Sequence, residues 1–414
     1  MEKQPATRHL RDFPHIEQVR KSAQKRHAHL ILVGGAVRDA LLGLIPHDLD
    51  FAVMGNPIAV GRDVAGALGG AFYVMDETRH TARVILNKSD PYLEMDFAMC
   101  RGETWEQDLR ARDFSINAIG LDIFSGDLID PLNGAEDVRQ RVVRMVSETA
   151  LTDDAVRVLR ATRMALSLGA TIEPFTRAAA QAAAPRLAAA NGPSPERVRD
   201  ELMAILALPN AADGVWQAED LSWLTFVLPE ASPVSAGVFD VLQNLDGILA
   251  RPDPAPINKK AETRLAALLA HLEPHEVEKR CRALKLSRQE VDAVRTIAEE
   301  SAKWRAKGDK APDLREMYWL AQAAGEFSAE VAALAAAQNP SCANAAREFA
   351  RVYAARFAAS VAPAPLVAGQ DALALGVSAG PRVGILLAQV REAQMMGEIA
   401  TREEALALLA TLVS

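Results

Sequence analysis

The feature that most constrains this chain is Leu30-Ile31-Leu32-Val33-Gly34-Gly35-Ala36-Val37-Arg38-Asp39, followed shortly by Asp48-Leu49-Asp50-Phe51-Ala52-Val53. It reads as strand, glycine turn, short helix and second strand. Leu30 to Val33 is a short apolar run of the kind that forms a buried strand. Gly34 and Gly35 lack a Cβ, so the turn can take unusual dihedrals and admit a ligand close to the backbone. A short helix from Ala36 to Leu42 would then point free N–H groups back at that ligand, which favours phosphate. Asp48 and Asp50 stand two apart on the next strand and so share a face, with Leu49 and Phe51 on the other. Two carboxylates side by side repel unless a cation lies between them. A hard divalent ion is the usual answer, and Mg²⁺ suits one or two carboxylates together with substrate phosphates.

Gly-Gly alone is a turn, and Asp-x-Asp alone is a solvated face. In this order and at this spacing, Gly34-Gly35-Ala36-Val37-Arg38-Asp39, Leu42-Gly43 and Asp48-Leu49-Asp50 resemble the signature of class II tRNA nucleotidyltransferases (CCA-adding enzymes) and bacterial poly(A) polymerases. Two further segments carry the resemblance. Arg112-Asp113-Phe114-Ser115-Ile116-Asn117-Ala118 is similar to the family's Arg-Arg-Asp-Phe-Thr-x-Asn-Ala, with Ala111 for the first Arg and Ser115 for Thr. Asp153-Asp154-Ala155-Val156-Arg157-Val158-Leu159-Arg160-Ala161-Thr162-Arg163 resembles the base-selection helix Glu-Asp-x-x-Arg-x-x-Arg.

The resemblance implies a division of labour. Asp48 and Asp50 would be catalytic metal ligands, as a two-metal clamp on Mg²⁺. Asp96, five residues before Arg101 on a strand, would be a third acidic residue beside them. Gly34, Gly35 and Arg38 would cradle a triphosphate, and Arg112 and Asn117 would reach phosphate and ribose. Asp154, Arg157, Arg160 and Arg163 would line the base site. A carboxylate acceptor and a guanidinium fork can match the edge of cytosine or adenine, which present an amine beside a ring nitrogen. Uracil and guanine carry a carbonyl in place of that amine and would leave buried groups unpaired.

Composition bounds the rest. The 414 residues, 50% hydrophobic and 24% charged, are ample for two to four domains. No stretch reads as a membrane span, and the first residues lack the apolar core of a signal peptide. Cys100, Cys281 and Cys342 are widely spaced, fit neither a disulfide framework nor a zinc site, and point to a reducing, cytoplasmic compartment. The net charge of −8 is awkward for a nucleic-acid binder, although distribution counts more than the sum. Residues 258–310 carry thirteen Lys or Arg against nine Asp or Glu.

Along the chain, the expected fold is an α+β head, a mixed sheet of about five strands with helices, followed by an all-α neck, body and tail. The divisions are an N-terminal arm (1–28), head (29–148), neck (149–212), RNA-binding body (213–360) and tail (361–414). Candidate strands are Leu30 to Val33, Asp50 to Val53, Ala71 to Met75, Thr81 to Leu86, Leu93 to Met99 and Ala118 to Ile123. Pro57 to Leu68 is a candidate helix, and Asp130 to Val138 a turn that sets chain direction. In the body, Lys279, Arg280, Arg282 and Lys285 could track an RNA backbone or form a solvated face. In the tail, Gly380, Arg382 and Gly384 open a helix that resembles the tRNA-contacting tail of bacterial class II enzymes.

The expectation is therefore template-independent addition of C and/or A, from CTP and ATP, to the 3′ end of a tRNA. The 3′-hydroxyl would attack the α-phosphate and release pyrophosphate. CC-only or A-only addition and poly(A) synthesis stay open. The stretch from Arg101 to Asp108 is short, where some CCA-adding members of the family carry a long loop; in the family a missing loop is associated with CC addition, although other CCA-adding members are short here too. A dinucleotide-binding oxidoreductase would need GxGxxG, and a P-loop NTPase GxxxxGK[ST]; neither is present. A catalytically silent RNA-binding protein on the same fold fits poorly with an intact Asp48 and Asp50.

Overall fold

The computed structural model describes residues 15–46, 48–87, 94–251, 257–306 and 311–413. These form two compact units, residues 1–193 with 220–227, and residues 194–219 with 228–414. Residues 1–14 of the expected arm, and Leu93, lie outside the described residues.

The first unit opens with α1 (Ile16–Lys25), β1 (His29–Val33), α2 (Gly35–Leu41), β2 (Asp48–Met54), α3 (Pro57–Leu68), β3 (Ala71–Asp76), β4 (Thr81–Ile85) and β5 (Glu94–Met99). It continues through α4 (Trp105–Arg110), a 3₁₀ turn (Ser115–Asn117), β6 (Gly120–Asp122), β7 (Leu128–Ile129), α5 (Gly134–Gln140), β8 (Val142–Val143), α6 (Ala150–Asp153), α7 (Val156–Leu168), β9 (Thr171–Ile172) and α8 (Pro174–Ala183). The sheet has seven strands in the order β3-β4-β5-β2-β1-β6-β7, two more than expected. Its last strand has only two residues, too few to leave a periodic signal in the sequence. β2 and β5 run parallel, and the other pairs are antiparallel.

The period-two reading of β2 holds. Leu49 and Phe51 are buried, and Phe51 stacks on Phe97 of β5 with ring centroids 5.1 Å apart. This apolar face packs on α3, where Gly61 lets the ring of Phe97 come close: an added Cβ would stand 3.2 Å from it. Asn56 caps α3 by accepting from Ala59 N–H, and Pro57 occupies the first turn, where a missing N–H costs nothing. The opposite face is left to the polar residues of β2, β4 and β5.

α7 carries the arginines of the third motif. Its buried side includes Val156, Val158, Leu159 and Thr162, and Thr162 Oγ1 accepts from the buried Trp223 indole at 3.0 Å. Gly169, with φ +58, ends the helix in the left-handed conformation.

The second unit is all helical: α9 (Pro195–Ala207), α10 (Ala211–Asp220), α12 (Ala236–Leu249), α13 (Lys260–Leu269), α14 (Pro274–Ala283), α15 (Arg288–Ala306), α16 (Leu314–Ala324), α17 (Ser328–Gln338), α18 (Ala343–Val352), α19 (Gly369–Ala374), α20 (Pro381–Met396) and α21 (Arg402–Val413). The short α11 (Leu224–Val227) belongs to the first unit. The core of the second unit is centred on Trp304, Tyr318 and Phe349, and Trp304 meets Phe349 edge-on at 5.0 Å. Val367, Ala372, Leu386, Val390, Ala405 and Leu409 form a separate cluster in and just before the last three helices. Buried Arg264 is held by Asp246 and by the carbonyl of Leu206 at 2.7 Å. No helix among the described residues is long and apolar enough to cross a membrane.

Candidate active site

The glycine turn, the acidic strand and the arginine helix converge on a cavity of about 410 Å³ in the first unit. Gly34, Gly35, Arg38, Asp48, Asp50, Arg112, Asn117, Arg157, Arg160 and Arg163 all line it, with Arg101, Asp113 and Met164 in addition. Gly34 has φ +72, a conformation that favours glycine. A Cβ there would stand 3.4 Å from Asp50 Oδ2 and 3.5 Å from Arg112 Nη1, so the turn leaves open the space those groups face. α2 is only seven residues long, and the charge available to an anion comes chiefly from the six arginines of the lining. This concentration resolves the puzzle of an acidic chain: the basic charge is gathered where phosphate would sit.

Asp48 and Asp50 project from the same face of β2 as expected. Neither carboxylate has a hydrogen-bond or ion-pair partner among the described residues. Burial, helped by the neighbouring charges of Asp96 and Asp48, raises the Asp50 pKa to about 6, with Arg112 opposing. A carboxylate this reluctant to ionise alone is one that a cation would relieve. The donor set, hard carboxylate oxygens facing a cavity lined with arginines, fits a divalent ion of the Mg²⁺ type. Among the described residues, no group of three His, Cys, Asp or Glu is arranged to hold a metal.

Asp96 lies across the sheet from Asp50 in the parallel β2–β5 register. Both of its oxygens are held by Arg83 of β4, at 2.8 Å each, and Arg83 also meets Glu94 at 2.7 Å. Arg101, five residues from Asp96, instead donates to the carbonyl of Ala111 at 3.2 Å. Burial, with Arg112 and Arg157 nearby, lowers the pKa of Arg101.

The second motif is cross-braced. Arg112 pairs with buried Asp108 at 3.0 Å rather than with its neighbour Asp113. Asp113 accepts from Phe114 N–H at 2.8 Å, from Asn117 Nδ2 at 3.1 Å and from Arg160 Nη1 at 3.1 Å. Asn117 in turn accepts from Arg38 at 2.7 Å. Burial would raise the Asp113 pKa, but Arg160 and the donated hydrogen bonds outweigh it and hold the group below the usual carboxylate range. The chain Arg160–Asp113–Asn117–Arg38 thus ties the three motifs together. The Ser115 hydroxyl is turned away, donating to buried Asp137 at 2.6 Å.

The third motif departs from a continuous helix. α6 ends at Asp153, Asp154 is extended (φ −148°, ψ 97°), and α7 begins at Val156. Asp154 is absent from the cavity lining, and its Oδ1 lies 3.4 Å from Val156 N. A short acidic side chain at this point competes for backbone N–H groups, which favours a helix start over a helix interior. Arg157 donates to the carbonyls of Arg112 and Ala150, each at 3.1 Å, so its fork is fixed by backbone.

Arg101, Asp113 and Met164 were not singled out for the site from sequence. Met164 does stand one residue beyond Arg163 in the motif, and its sulfur lies 3.4 Å from Arg38 Nη1. In the second unit, Lys279, Arg282 and Lys285 are exposed, while Arg280 is engaged with Glu230 and Arg282 with Glu278. Lys285 has φ +60, and its carbonyl accepts from Arg199 at 2.6 Å. Gly380 and Gly384 bracket the start of α20, and a Cβ at either would meet nothing within 4 Å. Arg382 donates to the carbonyl of Val413 at 3.3 Å.

An acidic pair beside a glycine turn, facing a cavity rich in arginine, defines a nucleotidyltransferase head on a mixed sheet. The comparisons agree. Residues 30–144 match the "Poly A polymerase head domain", residues 169–234 the "Probable RNA and SrmB- binding site of polymerase A", and residues 258–410 the tRNA nucleotidyltransferase domain 2. The chain is 33% identical to an A-adding tRNA nucleotidyltransferase of Deinococcus radiodurans, over 91% of this chain and 94% of that one. It is 30% identical to a CC-adding tRNA nucleotidyltransferase of a Synechocystis strain, over 91% and 92%. Its fold superposes on the Thermotoga maritima CCA-adding enzyme complexed with tRNA with a TM-score of 0.69, at 20% identity, covering 98% of this chain and 97% of that one. The chain belongs to the tRNA nucleotidyltransferase family.

Proposed function

We propose that this protein completes the 3′ end of tRNA by adding C and A from CTP and ATP, without a nucleic-acid template. The observation that carries this reading is the pair Asp48 and Asp50, on one strand face and without an ion pair among the described residues, opening into a cavity lined by six arginines. A divalent metal is the usual companion of this family; here Asp48 and Asp50 would hold Mg²⁺. The ion would supply Lewis-acid activation of the RNA 3′-hydroxyl and neutralise charge on the phosphates. The chain's own residues do the positioning. Arg38, Arg101 and Arg112 bind the triphosphate at the open glycine turn. Asn117, its orientation fixed by Asp113 and Arg38, presents an amide to the ribose. Arg157, Arg160 and Arg163 face the base, and Asp154, beside the α7 N-terminus, takes part in the selection. The 3′-hydroxyl oxygen bonds to the α-phosphorus as the bond to the bridging oxygen of pyrophosphate breaks. Most of the acceleration then comes from alignment and preorganised positive charge.

The second unit supplies the RNA grip in this reading. Lys279, Arg282 and Lys285 give exposed charge, Arg280 braces them through Glu230, and the open backbone at Gly380 and Gly384 beside Arg382 admits a phosphate. A second reading, CC addition alone, is favoured by one feature: from Arg101 the chain turns at Gly102 (φ +98) and enters α4 at Trp105, so no long loop intervenes.

The test is incubation with tRNA that ends before CCA, supplied with CTP alone, ATP alone or both. Extension by three residues with both nucleotides supports CCA addition; a stop after two under all conditions establishes the CC reading. Asp48→Ala should abolish incorporation with the fold intact, and retained activity would sink the assignment.

A further inference from the structure

The face of the sheet that carries Asp48 and Asp50 holds two more carboxylates. In the β2–β5 register Asp48 is opposite Glu94 and Asp50 is opposite Asp96. In the β4–β5 register Arg83 is opposite Asp96. One row across the sheet therefore reads Arg83, Asp96, Asp50. Directly opposed side chains on neighbouring strands have Cβ atoms only ~5 Å apart, so four carboxylates compete for whatever positive charge is present. Arg83 settles that competition. Its Nε and Nη2 each meet an Asp96 oxygen at 2.8 Å, a bidentate pair, and its Nη1 takes Glu94 at 2.7 Å. Asp48 and Asp50 make no ion pair with it among the described residues and feel only its charge. The same arginine lines a second cavity of about 310 Å³, which shares Asp50, Arg101 and Arg112 with the first.

Resting on the reading of Asp48 and Asp50 as the divalent-ion ligands, we propose that Arg83 is a positioning residue that keeps Asp96 and Glu94 out of the ligand set. The consequence is chemical. An ion held by two carboxylates retains coordination positions for phosphate and hydroxyl oxygens of the substrates, whereas an ion caged by three or four is bound tightly and offers fewer. Asp96 then acts by its charge next to Asp50 and not by ligation. The bidentate geometry is what makes arginine suited to the task, because a planar fork satisfies both carboxylate oxygens at once.

The test is Mn²⁺ binding to the full chain, followed by electron paramagnetic resonance without nucleotide, with circular dichroism to check folding. Arg83→Gln frees Asp96 to join the ion and should tighten Mn²⁺ binding at least tenfold, while slowing nucleotide incorporation. The charge-balanced double variant Arg83→Gln/Asp96→Asn should return to within about threefold of wild type. A purely structural ion pair would alter stability and leave Mn²⁺ affinity where it was. Unchanged or weaker binding in Arg83→Gln overturns the proposal. So does a tenfold loss in the double variant, which would make Asp96 a ligand in the native site. Asp48→Ala separates the two levels: it should lose Mn²⁺ binding in either background. Binding that survives Asp48→Ala means that the site reading itself has failed, and the role of Arg83 with it.

Discussion

Asp113 is the joint on which the candidate site depends, and Asp113→Asn tests that directly. The carboxylate is 8% exposed and accepts three hydrogen bonds, from Phe114 N–H, Asn117 and Arg160. Asparagine keeps the shape and can still accept at the Phe114 end, but it turns an amide N–H₂ toward the Arg160 guanidinium, donor against donor. Breaking a buried ion pair costs ~3–5 kcal/mol. Arg160 is 35% exposed and can recover part of its hydration, so the figure is discounted to about 2–3 kcal/mol. For a unit of this size that corresponds to a fall in Tm of roughly 5–10 °C.

The pH dependence has a definite sign. The folded pKa of Asp113 is lowered, so the folded state binds fewer protons than the unfolded chain in the acid range. The carboxylate therefore contributes stability above its unfolded pKa of about 4, and that contribution is lost as pH falls through the folded value. Wild type should lose stability on acidification below about pH 4 more steeply than Asp113→Asn, and the two curves should converge. Urea unfolding from pH 3 to 8 measures this. Because Asn117 and Arg160 lose their common anchor, KM for the nucleotide should also rise about tenfold. A variant within 0.5 kcal/mol of wild type at pH 7, with parallel pH curves, would refute the reasoning.

Ser115→Ala should cost ~1 kcal/mol, the loss of one hydrogen bond to buried Asp137, which keeps its pair with Arg144, with nucleotide addition retained, since the hydroxyl faces Asp137 and not the cavity; loss of activity at unchanged stability would contradict this. Gly134→Ala places a Cβ 2.0 Å from the Ser115 carbonyl oxygen, and the forced shift should cost ~1–3 kcal/mol and raise the nucleotide KM by disturbing the 3₁₀ turn that ends at Asn117. Arg157→Ala removes the fork held by the carbonyls of Arg112 and Ala150 and should weaken discrimination of CTP and ATP from UTP and GTP at least tenfold, read from single-nucleotide incorporation rates.

What could be read from the sequence was local. The glycine turn, the shared face of Asp48 and Asp50, and the burial of Leu49 and Phe51 each follow from dihedral freedom or period-two alternation within a few residues. The family resemblance, and not spacing, placed Arg112, Asn117, Arg157, Arg160 and Arg163 in one site, and all five line the cavity. Spacing failed at Asp154, where extrapolating a helical period past its own N-terminus placed on a helix a residue that starts one. It was silent on Arg83, for a different reason. The partnership of Arg83 with Asp96 and the adjacency of Asp96 to Asp50 depend on β5 lying between β4 and β2, parallel to one and antiparallel to the other. No periodicity encodes strand order. β5 ends at Met99, so Arg101 lies beyond the strand, and the arginine that holds Asp96 comes from β4 instead. The division of four carboxylates into two held by arginine and two without an ion pair among the described residues is thus a property of the sheet's topology, and it becomes visible only when the strands are laid side by side.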